Sequence, residues 1–222
     1  MSLLEIIGPV MIGPSSSHTA GAVRLGNIAR RLWGKEVTDV TIYLRGSFAS
    51  TYWGHGTDKA LVGGLLGLKP DDSRIRESLV LAHRANVNYK FEKETIDGAH
   101  PNSVRFVIKS EEKNMEMVGA SIGGGAIQIQ EIEGFPVEID GDLPAFIIFH
   151  QDKKGVVASI ATALFQKNLN IAEMKLKRKS RGKDAILVIE VDSQENQDDI
   201  FNNLEISKNL YSKIIFLPVE RE

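Results

Sequence analysis

Cysteine is absent from all 222 residues. The chain therefore forms no disulfide, has no thiol nucleophile, and supplies none of the thiolates that usually hold an iron–sulfur cluster. Long apolar runs are missing as well. Ala145-Phe146-Ile147-Ile148-Phe149 and the glycine-interrupted stretch from Leu61 to Leu68 are far too short for a membrane span. The first residues, Met1-Ser2-Leu3-Leu4-Glu5, carry no basic segment and no cleavage signal, so a cytoplasmic protein is expected. Charge of one sign is not in excess: the net charge is -2 and the isoelectric point about 6.2, which disfavours nucleic-acid and anionic-membrane partners. The five histidines, His18, His55, His83, His100 and His150, match no HExxH spacing, so no metal site is expected from this chain alone. The one basic segment, Lys175 to Lys183 with six basic residues in nine, has no interleaved aromatics and reads as the solvated tip of a hairpin.

What is present is an ordinary globular composition, 42% hydrophobic and 25% charged, long enough for one or two domains. The most informative segment is Gly13-Pro14-Ser15-Ser16-Ser17-His18-Thr19-Ala20-Gly21, small polar groups around one histidine directly before a helix-like stretch. A histidine can move a proton near neutral pH, and hydroxyls with free N–H groups at a helix start can seat a carboxylate. Ala22, Leu25, Ala29, Leu32 and Trp33 then share a helical face, with Ser17 or Thr19 as the expected N-cap and Gly34 as the stop.

Val40 to Leu44 reads as a strand that Arg45 to Ser50 either continues or leaves. Thr57 is the expected cap of a second helix through Leu66, with Asp58 well placed for the dipole, and Ser73 to Arg84 reads as a third helix. Strand alternation follows at Val87 to Phe91, Val104 to Ile108 and Ala126 to Ile132, the last after a bend at Gly123-Gly124-Gly125. Gly134 to Pro144 is the expected linker. Beyond it the pattern is βαββαβ, the ferredoxin-like plan: strands at Ala145–His150, Ile171–Arg178, Asp184–Val191 and Lys213–Val219, and helices at Val156–Gln166 and Gln194–Ser207. The expected architecture is α+β with two domains, residues 1–140 and 144–222, the first setting helices against a mixed sheet.

Gly13-Pro14-Ser15-Ser16-Ser17-His18-Thr19, Gly54-His55-Gly56-Thr57-Asp58-Lys59-Ala60, His100-Pro101-Asn102-Ser103 and Gly119-Ala120-Ser121-Ile122-Gly123-Gly124-Gly125, in that order, resemble the β subunit of the bacterial iron–sulfur-dependent L-serine dehydratases. The tail from Ala145 is similar to an ACT domain, and the N-terminal region to the allosteric substrate-binding domain of some phosphoglycerate dehydrogenases. The resemblance implies a lyase of two chains. The partner α subunit would hold a [4Fe–4S] cluster through its own cysteines. L-serine would lose water and then ammonia to leave pyruvate, and the ACT domain would support self-association.

On that basis His18 is the candidate proton carrier, as base, acid or substrate orienter; its bland alternative is a packed helix-start histidine. Ser15, Ser16, Ser17 and Thr19 are candidate substrate contacts, with simple capping as the alternative. His55 and Thr57 form a second polar helix start that is either structural or near the site, and His100, Asn102 and Ser103 either close a turn or reach the partner. Asp152, Gly155 and Asn170 are the candidate ACT ligand positions. Two other functions compete with the enzyme subunit. One is an amino-acid sensor without catalysis. The other is a stand-alone hydrolase, for which the GxSxG elbow and an orienting carboxylate are missing.

Overall fold

The computed structural model describes residues 10–192 and 206–219. The chain divides into two units, Met1–Gly134 with Glu138–Asp140 and Phe135–Val137 with Gly141–Glu222. The architecture is α+β, with helices against a mixed sheet in the first unit.

In the first unit, β1 (Asp39–Leu44) alternates so that Val40, Ile42 and Leu44 are buried. It pairs in parallel with β2 (Asn88–Lys93) and antiparallel with β3 (Ser103–Lys109). The sheet continues through β4 (Asn114–Gly123), β5 (Ala126–Ile132) and β6 (Phe135–Ile139), in the order β2-β1-β3-β4-β5-β6. The parallel β1–β2 pair requires a crossover, and the helices α2 (Gly46–His55), α3 (Thr57–Leu65) and α4 (Ser78–Arg84) supply it. Helix α1 (Ala22–Trp33) precedes β1, and its apolar face is wholly buried. It ends where Gly34 turns left-handed, φ 77°, and donates its N–H to the Arg30 carbonyl. Lys113 Nζ donates to the Trp33 carbonyl at 3.0 Å and lies over the Trp33 ring, which closes the end of that helix.

Several expectations are corrected. Neither Ser17 nor Thr19 caps α1, because a five-residue π-turn, Ser17–Gly21, runs directly into the helix and leaves no break to cap. Of the two alternatives for Arg45 to Ser50, leaving the strand is the one that holds: the segment turns into α2, since Gly46 is left-handed and lies against Pro101. Thr57 is not the cap of α3; left-handed Gly56 is, and the Thr57 hydroxyl is buried without a partner among the described residues. The helix expected at Ser73–Arg84 is broken into a 3-10 turn, Ser73–Glu77, and α4. The buried Ser78 hydroxyl, which donates to the Lys59 carbonyl at 2.6 Å, pins that break. The stretch read as a linker contains β6, whose residues Phe135, Val137 and Ile139 are buried.

In the second unit β7 (Ala145–Gln151) lies between β10 (Lys213–Leu217) and β9 (Asp184–Asp192), and β8 (Asn170–Arg178) forms the other edge. Helix α5 (Val156–Gln166) places Val156, Ile160 and Leu164 against Phe146, Ile148, Leu187 and Ile189. The basic segment is the exposed end of β8 and the turn into β9. The helix expected at 194–207 lies almost entirely outside the described residues. No helix among the described residues is long and apolar enough to cross a membrane.

The first unit depends on one close crossing. A Cβ on Gly26 of α1 would lie 2.4 Å from the Leu61 carbonyl oxygen, and one on Gly64 of α3 would lie 2.1 Å from the Val23 carbonyl oxygen. Gly26→Ala is therefore expected to destabilise the chain by about 2 kcal/mol in urea unfolding, despite the roughly 1 kcal/mol that alanine gains over glycine in a helix. Gly63→Ala, whose Cβ meets nothing closer than 3.4 Å, is expected to be neutral or stabilising.

Candidate active site

The π-turn forms because Gly21 N–H donates to the Ser16 carbonyl, five residues back, at 3.0 Å. Two close approaches hold it. Gly13 lies on the Thr19 side chain, where a Cβ would come within 2.2 Å of Oγ1, and Gly21 lies on Ser121 of β4, where a Cβ would come within 2.0 Å of Oγ. The turn aims His18 inward, and only 9% of the residue remains exposed.

Both ring nitrogens of His18 meet hydroxyls. Nδ1 is 3.3 Å from Ser15 Oγ and 3.2 Å from Ser17 Oγ, and those two oxygens are 3.3 Å apart. Nε2 is 3.3 Å from Ser47 Oγ and 3.2 Å from Thr51 Oγ1, both on α2. Phe48 presents its ring edge-on at 5.2 Å, and the His55 ring is 4.9 Å away. Burial holds the His18 imidazole below its ordinary value, and His55 adds to the depression. The neutral ring is therefore the resting form at neutral pH.

The segments singled out in the sequence converge here. Phe48 N–H donates to the Pro101 carbonyl at 3.2 Å, and Ser121 N–H to the Asn102 carbonyl at 3.0 Å. This places His100-Pro101-Asn102-Ser103 beside both α2 and β4. Asn102 Oδ1, Ser103 Oγ and Ser121 Oγ are buried without a hydrogen bond among the described residues. Asp58 is 2% exposed, one carboxylate oxygen lacks a partner among the described residues, and burial pushes the carboxyl up despite the N–H groups of Lys59 and Asp58 itself. Arg45, the residue before α2, is held by Glu94 at 2.7 Å, and Glu94 also takes Arg105 at 2.5 Å. Burial opposes the Glu94 charge, but the two guanidinium groups prevail and hold it below the usual carboxylate range.

A model described as serine dehydratase beta chain matches residues 2–132. The chain belongs to that family. This beta chain is 43% identical over 209 residues to the probable L-serine dehydratase beta chain of Bacillus subtilis (strain 168), covering 94% of each. It is 40% identical over 193 residues to the L-serine dehydratase beta chain of Peptoniphilus asaccharolyticus, covering 86% of this chain and 87% of that one. A more distant similarity, 26% over 185 residues, covers 82% of this chain but 34% of the D-3-phosphoglycerate dehydrogenase of Methanocaldococcus jannaschii.

Of the residues named from sequence, His18, Ser15, Ser17 and His55 come together in the beta chain. Ser16 lends its carbonyl to the π-turn, Thr19 packs under Gly13, and Thr57 is buried in the first turn of α3. In the second unit Asp152 accepts from Arg178 Nη1 at 2.8 Å and Gly182 N–H at 2.9 Å, left-handed Gly155 precedes α5, and Asn170 donates to Asp192 at 2.6 Å. Ser47 and Thr51 were missed. With His55 they fall at i, i+4 and i+8, one face of a helix, a signal that goes unused while Arg45 to Ser50 is left open as continuing the strand or leaving it.

The His18 environment has a consequence for stability. The unfolded chain takes up a proton at His18 before the folded chain does, so this contribution to stability is full above 6.5 and is lost as pH falls through the lowered folded value. His18→Asn should flatten that acid-side slope in urea unfolding measured between neutral and acid pH; an unchanged slope would contradict a buried neutral imidazole.

Proposed function

We propose that this chain is the β subunit of a [4Fe–4S]-dependent L-serine dehydratase, a cytoplasmic lyase that converts L-serine to pyruvate and ammonia. The observation that carries the reading is a buried, neutral histidine with a hydroxyl pair on each ring nitrogen. Abstraction of the α-proton needs a base that is uncharged at working pH, and burial with a neighbouring histidine provides one. Ser15, Ser16, Ser17 and Thr19, with His55 and Thr57, are the candidate groups for orienting substrate.

With no cysteine and no group of three metal-binding side chains among its described residues, this chain does not suit the cluster; the partner α subunit would hold it. The chemistry such a cluster supplies is that of a Lewis acid for the substrate hydroxyl. The relatives from Bacillus subtilis and Peptoniphilus asaccharolyticus are both named as beta chains, which supports a second chain. We assign residues 1–140 to the substrate-contacting domain and 144–222 to an ACT domain that favours self-association, with Asp152, Gly155 and Asn170 its candidate ligand positions. A sensor without catalysis is the second reading. It draws on the similarity to about a third of a D-3-phosphoglycerate dehydrogenase.

The deciding experiment is pyruvate formation from L-serine by the anaerobically assembled pair. The pair is expected to be active, this chain alone inactive, and His18→Ala to lower turnover by about a hundredfold or more while still assembling. Tight serine binding by this chain, with no activity gained from the partner, would favour the sensor.

A further inference from the structure

The hydroxyl protons around His18 can be assigned one by one. Thr51 has a single hydroxyl proton, and it goes to the Ser47 carbonyl at 2.8 Å, the bond to the preceding turn that a helical threonine makes readily. The Thr51 oxygen, 3.2 Å from His18 Nε2, then has only lone pairs to present to the ring. If Nε2 were the unprotonated nitrogen, two lone pairs would face each other across that contact. A hydrogen on Nε2 makes it a bond, and Ser47 Oγ at 3.3 Å can share it.

The other side of the ring has no such restriction. Ser15 Oγ accepts the His18 backbone N–H at 3.4 Å and keeps its own proton, and among the described residues no acceptor other than Nδ1 and the neighbouring serine hydroxyl is seen for the protons of Ser15 and Ser17. Either serine can donate to Nδ1 while the other donates to its neighbour's oxygen. When Nδ1 gains a proton, the two hydroxyls need only rotate to become acceptors, while the contacts at Nε2 stay as they are.

We propose that Thr51 is a positioning residue that locks His18 in the Nε2–H tautomer, so that Nδ1 alone takes up and returns protons through the Ser15–Ser17 hydroxyl pair. The part concerning proton transfer rests on the serine dehydratase reading; the tautomer assignment does not. In the forward step a serine hydroxyl gives its proton to Nδ1 as it accepts one from the substrate carbon; that proton then leaves Nδ1 through the same hydroxyl pair to the substrate hydroxide, which departs as water, and the ring is reset. Thr51 touches neither substrate nor the travelling proton. Its effect is exerted through the ring, as that of the second hydrogen-bond partner of any catalytic histidine is.

The test is imidazole NMR on the isotope-labelled full chain, which distinguishes a protonated from an unprotonated ring nitrogen, followed by turnover of the assembled pair. The unaltered chain should show hydrogen on Nε2 of neutral His18. Thr51→Val, which keeps the shape and removes the hydroxyl, should release the ring to a mixture of tautomers because Ser47 can then donate to Nε2; Thr51→Ser should restore the single form. In the assembled pair Thr51→Val should lower kcat about tenfold to a hundredfold with KM little changed, and Thr51→Ser should recover most of it. Hydrogen on Nδ1 in the unaltered chain overturns the proposal without any variant being needed. A folded Thr51→Val chain that keeps the Nε2–H tautomer overturns the lock, and mixed tautomers with full turnover overturn the role of Nδ1. An unaltered pair that forms no pyruvate while its ring shows the Nε2–H form overturns the serine dehydratase reading and leaves the tautomer assignment standing.

Discussion

The hydrogen bond from Gly21 N–H back to the Ser16 carbonyl is the constraint on which the site depends. An ordinary helical start would bond four residues back and rotate every following side chain to a different azimuth. The extra residue in this turn sends His18 inward, puts Thr19 beneath Gly13 and brings the Gly21 backbone onto Ser121. Single π-turns cost hydrogen-bond geometry and persist where the surroundings hold them. Here the surroundings are two glycines whose missing side chains make room for Thr19 and Ser121.

Helix placement follows the same logic of close backbone approach. Gly26 and Gly64 let α1 and α3 meet nearly backbone to backbone, and Gly119 leaves room for Leu25 between α1 and the sheet. Gly46 against Pro101 starts α2 at the point where β1 ends, and the ion pair of Arg45 with Glu94 anchors that start. The result is that α2 presents Ser47, Thr51 and His55 to the π-turn, and the hydroxyls reach Nε2 from one rigid element while Ser15 and Ser17 reach Nδ1 from another.

The chemistry of this pocket comes from what it withholds. Among the described residues no carboxylate bonds to His18, only hydroxyls, so none of them favours the imidazolium, and burial together with His55 disfavours it. Hydroxyls can serve either protonation state because each is both donor and acceptor. A ring held this way is uncharged and ready to accept a proton, in contrast to one paired with aspartate, which is stabilised once charged.

Much was legible in the residues themselves. The apolar spacing of Ala22 to Trp33, the alternation in β1, β3 and β5, the stop at Gly34 and the polar cluster around His18 follow from side-chain periodicity and from glycine's access to positive φ, which are local properties. The π-turn, the helix at Gly46–His55, the break at Ser78 and the strand at Phe135–Ile139 were decided by tertiary contacts: Ser121 on Gly21, Pro101 on Gly46, the Lys59 carbonyl on Ser78, and burial of Phe135 and Val137. For the site, the sequence determined that a histidine lies among hydroxyls. Only the fold decided that the hydroxyls on Nε2 come from residues 29 and 33 positions away, because a partner across a folded backbone leaves no trace in local spacing.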